Sequence, residues 1–236
     1  MHATFLTRLW NVPQHFIARG VIEIRRHQRR LILIGLMLTG SIVVGQTYAA
    51  DLVATAVDKN GNPMPDVIVY ATPLHGSLPP LTKTADAVIS QSGMQFSPYV
   101  TAVRTGTQVV FPNYDKMEHH VKSFSAAKEF EIKTYDKGVT PPPVLFDKPG
   151  IVVVYCLLHN WMRAYVLVLD TPYFAKSDSN GVTRIEHLPA GEYKLEAWHP
   201  NMGSIKPPLN QHVNVAAENP TVHFQFDFVP IARKMK

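Results

Sequence analysis

The stretch Tyr155-Cys156-Leu157-Leu158-His159-Asn160-Trp161-Met162 carries the single cysteine of the 236-residue chain. Two apolar, β-branched runs bracket it, Gly150–Tyr155 (GIVVVY) and residues 164–169 (AYVLVL). Runs of this length and composition read as strands, so the stretch is a loop between two of them. Cys156, His159 and Met162 recur at every third position, and a tight turn aims side chains so spaced at one point. A thiolate, an imidazole and a thioether are soft-to-borderline donors. Together they suit copper, with the thioether as a weak axial donor. One imidazole is missing from that set. It is sought upstream, in Asn113-Tyr-Asp-Lys-Met-Glu-His119-His120-Val121. Successive residues of a strand face opposite ways, so one of His119 and His120 joins the loop donors and the other turns away.

Strand signals recur on both sides of this core. Pro and Gly are frequent and long 3.6-residue periodicity is absent, which predicts an all-β chain of sandwich or barrel type. Residues 52–57 (LVATAV) alternate, Asp58-Lys-Asn-Gly61 turns the chain, and residues 66–71 (DVIVYA) form a second apolar run. The gap between them, through Pro63 and Pro65, predicts a loop or an edge rather than a two-residue hairpin. Residues 72–84 are linker-like. Asp178-Ser-Asn-Gly181 repeats the D-x-N-G form, and residues 192–198 (EYKLEAW) and 221–228 (TVHFQFDF) alternate as half-buried strands do. Neither D-x-N-G stretch suits calcium, because Gly stands fourth where an EF-hand loop needs it sixth. Both are read as turns. His75 and His212 fall in polar loops, and His187, His199 and His223 in the late segment. None has a ligand-spaced neighbour, so none is taken as a metal ligand.

The formal charge of +5 belongs to residues 1–49, where six arginines face the single acid Glu23. The remainder is formally neutral, which excludes a nucleic-acid role argued from a high isoelectric point. Residues 31–45 (LILIGLMLTGSIVVG) follow Arg29-Arg30 and end near Thr47-Tyr-Ala49. A basic segment, a short apolar run and a small-residue exit describe an export signal cleaved after Ala49; the membrane enters only if that segment stays on. Export makes the lone cysteine informative, since an unpaired thiol in an oxidising compartment is reactive, intermolecular or metal-bound.

On Gln95-Phe-Ser-Pro98, Gly106-Thr-x-Val-Val-Phe-x-Asn113, His119-x-Val121, Lys148-Pro-Gly150 and Tyr155-Cys-x-x-His-x-x-Met162, residues 86–170 resemble a cupredoxin, the Greek-key β-sandwich of type 1 blue copper. The short loop is most similar to that of amicyanin, among plastocyanin-like and methylamine-utilisation proteins. The resemblance implies one copper per chain, with His119, Cys156 and His159 as equatorial ligands and Met162 axial. It also implies that the residue after the first ligand, here His120 in place of Asn, steadies the Cys loop. Trp161 replaces a smaller aromatic, which alters the exposed patch that it would share with Leu157 and Leu158. Residues 51–83 and 171–230 together resemble a carboxypeptidase regulatory-like, transthyretin-like β-sandwich, split by the cupredoxin. The function so implied is a periplasmic carrier of single electrons between redox proteins, in amine oxidation by analogy, and not an enzyme. The alternatives are a store or deliverer of copper and a non-redox β-sandwich binding module.

Overall fold

The computed structural model describes residues 49–82, 85–216 and 219–233. The export signal expected over residues 1–49 lies outside them, Ala49 excepted. No helix among the described residues is long and apolar enough to cross a membrane. The described residues are all-β, one short 3₁₀ turn apart, as the patterning predicts. In order, its strands are β1 (Ala49–Val57), β2 (Ile68–Pro73), β3 (Ala87–Val88), β4 (Ser90–Ser92), β5 (Gln95–Ser97), β6 (Val100–Arg104), β7 (Thr107–Val110), β8 (His119–Ser125) and β9 (Lys128–Tyr135). There follow β10 (Val144–Phe146), β11 (Gly150–Tyr155), β12 (Arg163–Leu169), β13 (Phe174–Lys176), β14 (Val182–Pro189), β15 (Gly191–Trp198), β16 (Leu209–Val215) and β17 (Thr221–Gln225). A single turn of 3₁₀ helix, Pro200–Met202, precedes β16.

Hydrogen-bonded neighbours fall into two sets. Strands from the middle of the chain form the sheets β6-β12-β11-β8-β9 and β10-β7-β3 and the hairpin β4-β5. Early and late strands form β14-β1-β17 and β13-β2-β15-β16. No described sheet mixes the two sets. β1 and β2 stand in different sheets, so the Asp58–Gly61 turn feeds a crossover and not a hairpin, as the proline-containing gap predicts.

Two apolar cores follow the same division, and β12 belongs to both. Its Ala164, Val166 and Val168 pack with Val121, Val152 and Val154. Its Leu167 and Leu169 pack with Leu52, Ile68 and Trp198 from the other set. A strand covered on both faces needs no polar side, which is why residues 164–169 run apolar without alternation.

Both D-x-N-G stretches are turns. Asp58 Oδ1 accepts from the N–H groups of Asn60 (2.8 Å) and Asn62 (2.9 Å), and Asp178 Oδ1 accepts from those of Asn180 and Val182, both at 2.9 Å. The two glycines differ in their surroundings. Gly181 has φ +72°, and a Cβ there would lie 2.4 Å from the Ala56 carbonyl oxygen and 2.9 Å from the Met64 nitrogen. Gly61 has φ +85° with nothing within 4 Å of such a Cβ. Gly61→Ala therefore costs about 1–2 kcal/mol, the left-handed penalty alone. Gly181→Ala adds a backbone clash and costs roughly 2–4 kcal/mol. Urea unfolding of the two variants side by side checks this, and equal losses would show that the close approach is not binding.

One expectation fails here. His212 was read as lying in a polar loop, but it sits in β16, paired with Lys194 of β15. β16 is an edge strand with its polar residues outward, so Leu-Asn-Gln-His-Val-Asn-Val shows little of the alternation by which strands are recognised.

Candidate metal centre

His119 is the first residue of β8, and Cys156 directly follows the last residue of β11. These strands are antiparallel neighbours with Tyr155 opposite Lys122, so the chain leaving Tyr155 runs toward the His119 end of β8. In this way two residues 37 positions apart come together, with Cys156 Sγ 3.8 Å from His119 Nδ1. The loop then brings His159 Nδ1 to 3.6 Å from the same sulfur. All three donor atoms lie within 4.8 Å of one another, and the two imidazole rings meet edge-on at 5.0 Å. Two backbone bonds close the loop, from Cys156 N–H to Met162 O (3.2 Å) and from Met162 N–H to His159 O (2.9 Å). Met162 is fully buried and belongs to the same core cluster as Cys156. His119 and Cys156 are buried and His159 is half-buried, while Leu157 (57 % exposed) and Leu158 (52 %) face outward.

The His119 ring is aimed from behind. Its Nε2 lies 2.8 Å from Asp115 Oδ2. Burial raises the Asp115 pKa, but the Met94 N–H, the His119 ring and the Gly93 N–H outweigh it and hold the carboxyl below the usual carboxylate range. An ionised carboxylate only accepts, so Nε2–H donates to it, and Nδ1 keeps its lone pair for the site. Asp115 is itself fixed by the Gly93-Met94 turn of the β4–β5 hairpin, at 2.6 and 2.9 Å, and by its own N–H donating to Asn113 Oδ1 (2.9 Å). Buried Asn113 further donates to the carbonyls of Met117 and Tyr135. The same turn reaches the loop, because Trp161 Nε1–H donates to Met94 O at 3.1 Å. Trp161 is half-buried, with its ring 5.3 Å from that of His159. Asp115 escaped the reading of the sequence, although its place four residues before His119 was a usable signal.

His120 takes a different course from His119. A register shift lies between His119 and Val121, and both rings are buried, but His119 meets Cys156 while His120 joins Lys122 on the Glu131 carboxylate. His120 Nε2 lies 2.9 Å from Glu131 Oε1, and its Nδ1 has no partner among the described residues. The His120 bond and then Lys122 hold the Glu131 carboxyl below its usual range. His120 thus ties β8 to β9, and the Cys loop is closed by its own backbone. Of the remaining described histidines, His75 pairs with Glu192 (3.3 Å) at the surface, His223 meets Thr55 Oγ1 (2.8 Å), and His199 is buried away from the donor group.

The donor set fits a first-row transition ion. Metal–nitrogen and metal–sulfur bonds of about 2.0–2.3 Å at trigonal angles separate the donors by about 3.7 Å. The two nitrogen–sulfur distances, 3.8 and 3.6 Å, are of that size. Two imidazoles and a thiol, with buried Met162 in the same core cluster as the thiol, are residue types that suit a copper ion.

No protein-family model and no curated protein matches the chain. Among solved structures it is similar to a copper-containing nitrite reductase from Thermus scotoductus SA-01, 22% identical, over 41% of this chain and 25% of that one, with TM-score 0.34. The chain thus spans a quarter of the length of that reductase. It is also similar to a purple cupredoxin from Nitrosopumilus maritimus, 24% identical over 35% of this chain and 99% of that one (TM-score 0.32). A Cu(I) amicyanin variant is 21% identical over 42% of this chain and 98% of that one (TM-score 0.32).

Proposed function

We propose that His119, Cys156 and His159 hold one type 1 copper ion, with Met162 as its axial ligand. The protein is then an exported, periplasmic carrier of single electrons and not an enzyme. The observation that supports this is the meeting of two imidazole nitrogens and the chain's only thiol at metal-ligand spacing within 4.8 Å. When bound, the ion supplies a Cu(II)/Cu(I) couple, and the protein's part is to hold the donors still. Asp115 fixes the His119 ring, the two backbone bonds fix the loop, and the Gly93-Met94 turn touches both. Donors held this firmly rearrange little between oxidation states. Four protein donors leave no position for a substrate, unlike a catalytic metal site.

His159 is the donor nearest solvent and so the exit for the electron. Leu157 and Leu158 beside it give a small apolar contact, which suits redox protein partners that separate quickly. An amine-oxidising enzyme is the partner that the family resemblance implies. In this reading residues 86–170 form the copper-bearing sandwich, and residues 51–83 with 171–230 form a second one for recognition or support. The separate hydrogen bonding of the two strand sets supports that division.

The test is the optical and EPR spectrum of the copper-loaded protein. An intense blue thiolate charge-transfer band with a reversible potential is expected. A colourless Cu(I) site that gives up its metal readily would point to storage or delivery, and failure to retain copper would refute the proposal.

A further inference from the structure

Beside the metal loop, but using none of its donors, lies a cleft of about 370 Å³. Trp161, Arg163, Tyr99, Tyr165, Asn201 and Arg233 contribute to its walls. The C-terminal segment completes it, because the Ile231 N–H donates to Asn201 Oδ1 (3.1 Å) and the Arg233 guanidinium lies over the Tyr99 ring, 4.1 Å from its centroid. Tyr99 meets Tyr165 edge-on at 5.4 Å, and Arg163 lies close enough to Tyr165 for that hydroxyl to favour its charged form. Two guanidinium groups and three aromatic rings thus converge from three parts of the chain.

No carboxylate lines the cleft among the described residues. Neither arginine forms an ion pair with a described acid. The positive charge is therefore uncompensated among the described residues. Burial, reinforced by Tyr165, pushes the Tyr99 hydroxyl up to about 12, so it remains an O–H donor at neutral pH.

We propose that this cleft binds a small aromatic carboxylate, its anionic end bridged by Arg163 and Arg233 and its ring lying among Tyr99, Tyr165 and Trp161. Guanidinium groups match carboxylates in a planar, two-bonded geometry, and aromatic walls favour a flat apolar body. The cavity is of the size that small-molecule sites have. A neutral ring leaves the two cations uncompensated, and a bare inorganic anion leaves the aromatic walls unfilled.

The test does not depend on copper. The full chain, purified without metal, is titrated calorimetrically with benzoate and 4-hydroxybenzoate, and in parallel with benzyl alcohol and inorganic phosphate. Saturable one-to-one binding of the carboxylates with Kd below about 1 mM is expected. Arg163→Gln and Arg233→Gln should each weaken it at least about tenfold, and benzyl alcohol should give no saturable heat. Arg233 is exposed near the chain end, so its variant should unfold at the same midpoint as the unaltered protein. Three results would overturn the proposal: no saturable binding of either carboxylate, binding undiminished by both substitutions, or phosphate held as tightly as benzoate.

Discussion

Cys156→Ser is expected to abolish the intense visible band of the copper-loaded protein. That band comes from charge transfer out of a thiolate, and the chain holds no second cysteine to supply one. Serine keeps the size of the side chain and leaves His119, His159 and Met162 in place, so weak Cu(II) binding with an ordinary EPR signal should persist. The loss of colour is then specific to sulfur and not to a collapsed site, and unfolding of the metal-free variant would show the fold intact. A persisting blue band would remove Cys156 from the ligand set. Asp115→Asn is the informative contrast. It leaves every donor and takes the anchoring charge from behind His119, so the colour should survive while copper affinity falls about 10–100-fold, as for other groups that orient metal-bound histidines.

Acidification should destabilise the fold through His199 before the paired carboxylates take part. His199 is 5 % exposed, with the Phe226 ring edge-on and the Phe228 ring tilted against it. Its Nδ1 accepts from the Asn201 N–H (3.2 Å) at the start of the 3₁₀ turn. Burial lowers its pKa to about 4, against a smaller opposing effect of Asp66. The folded state therefore favours the neutral ring, whereas the unfolded chain takes up a proton near pH 6.5. Stability is full above that value, falls as pH drops toward about 4, and this contribution is exhausted below it, with a total near 3 kcal/mol. Asp58, Asp115, Glu131, Asp147 and Asp227 are held below the usual carboxylate range. Their stabilisation is present above the unfolded carboxylate pKa and is lost as pH falls through their lowered folded values, so their window lies below that of His199. Urea unfolding at pH 7 and pH 4.5, on the unaltered protein and on His199→Asn, separates the two. Asn keeps a capping acceptor without titrating, so its stability should be nearly level between those values. Equal slopes in the two proteins would show that His199 is not the group responsible.

The loop and its flanking strands were legible because both signals are local. Three donors at three-residue spacing sit between β-branched runs, and nothing distant is needed to see them. The all-β class was legible for the same reason, from the alternation of β15 and β17. What stayed hidden depends on contacts across the fold. His119 and His120 are both buried, and no pattern in His-His-Val says which would meet Cys156 and which Glu131. Asp115 acts only because the Gly93-Met94 turn, some twenty residues earlier, offers its N–H groups. β16 was missed because an edge strand with a wet face looks like a loop. The cleft at Arg163 and Arg233 needed the chain end to return to Tyr99, which one exposed arginine near a terminus does not foretell.

β12 has a further consequence. The strand that leaves the metal loop carries Leu167 and Leu169 on the face turned away from the site, and Val100 of its neighbour β6 lies in the same core. Cut out as a graft, residues 86–170 would carry those side chains onto a new surface as an oily strip, and the fragment would self-associate or precipitate. Anyone transplanting the candidate metal loop must either take the second core along or rewrite that face in polar residues. The seam between the two apolar cores is thus a shared wall, and the site cannot be handled as a detachable bead.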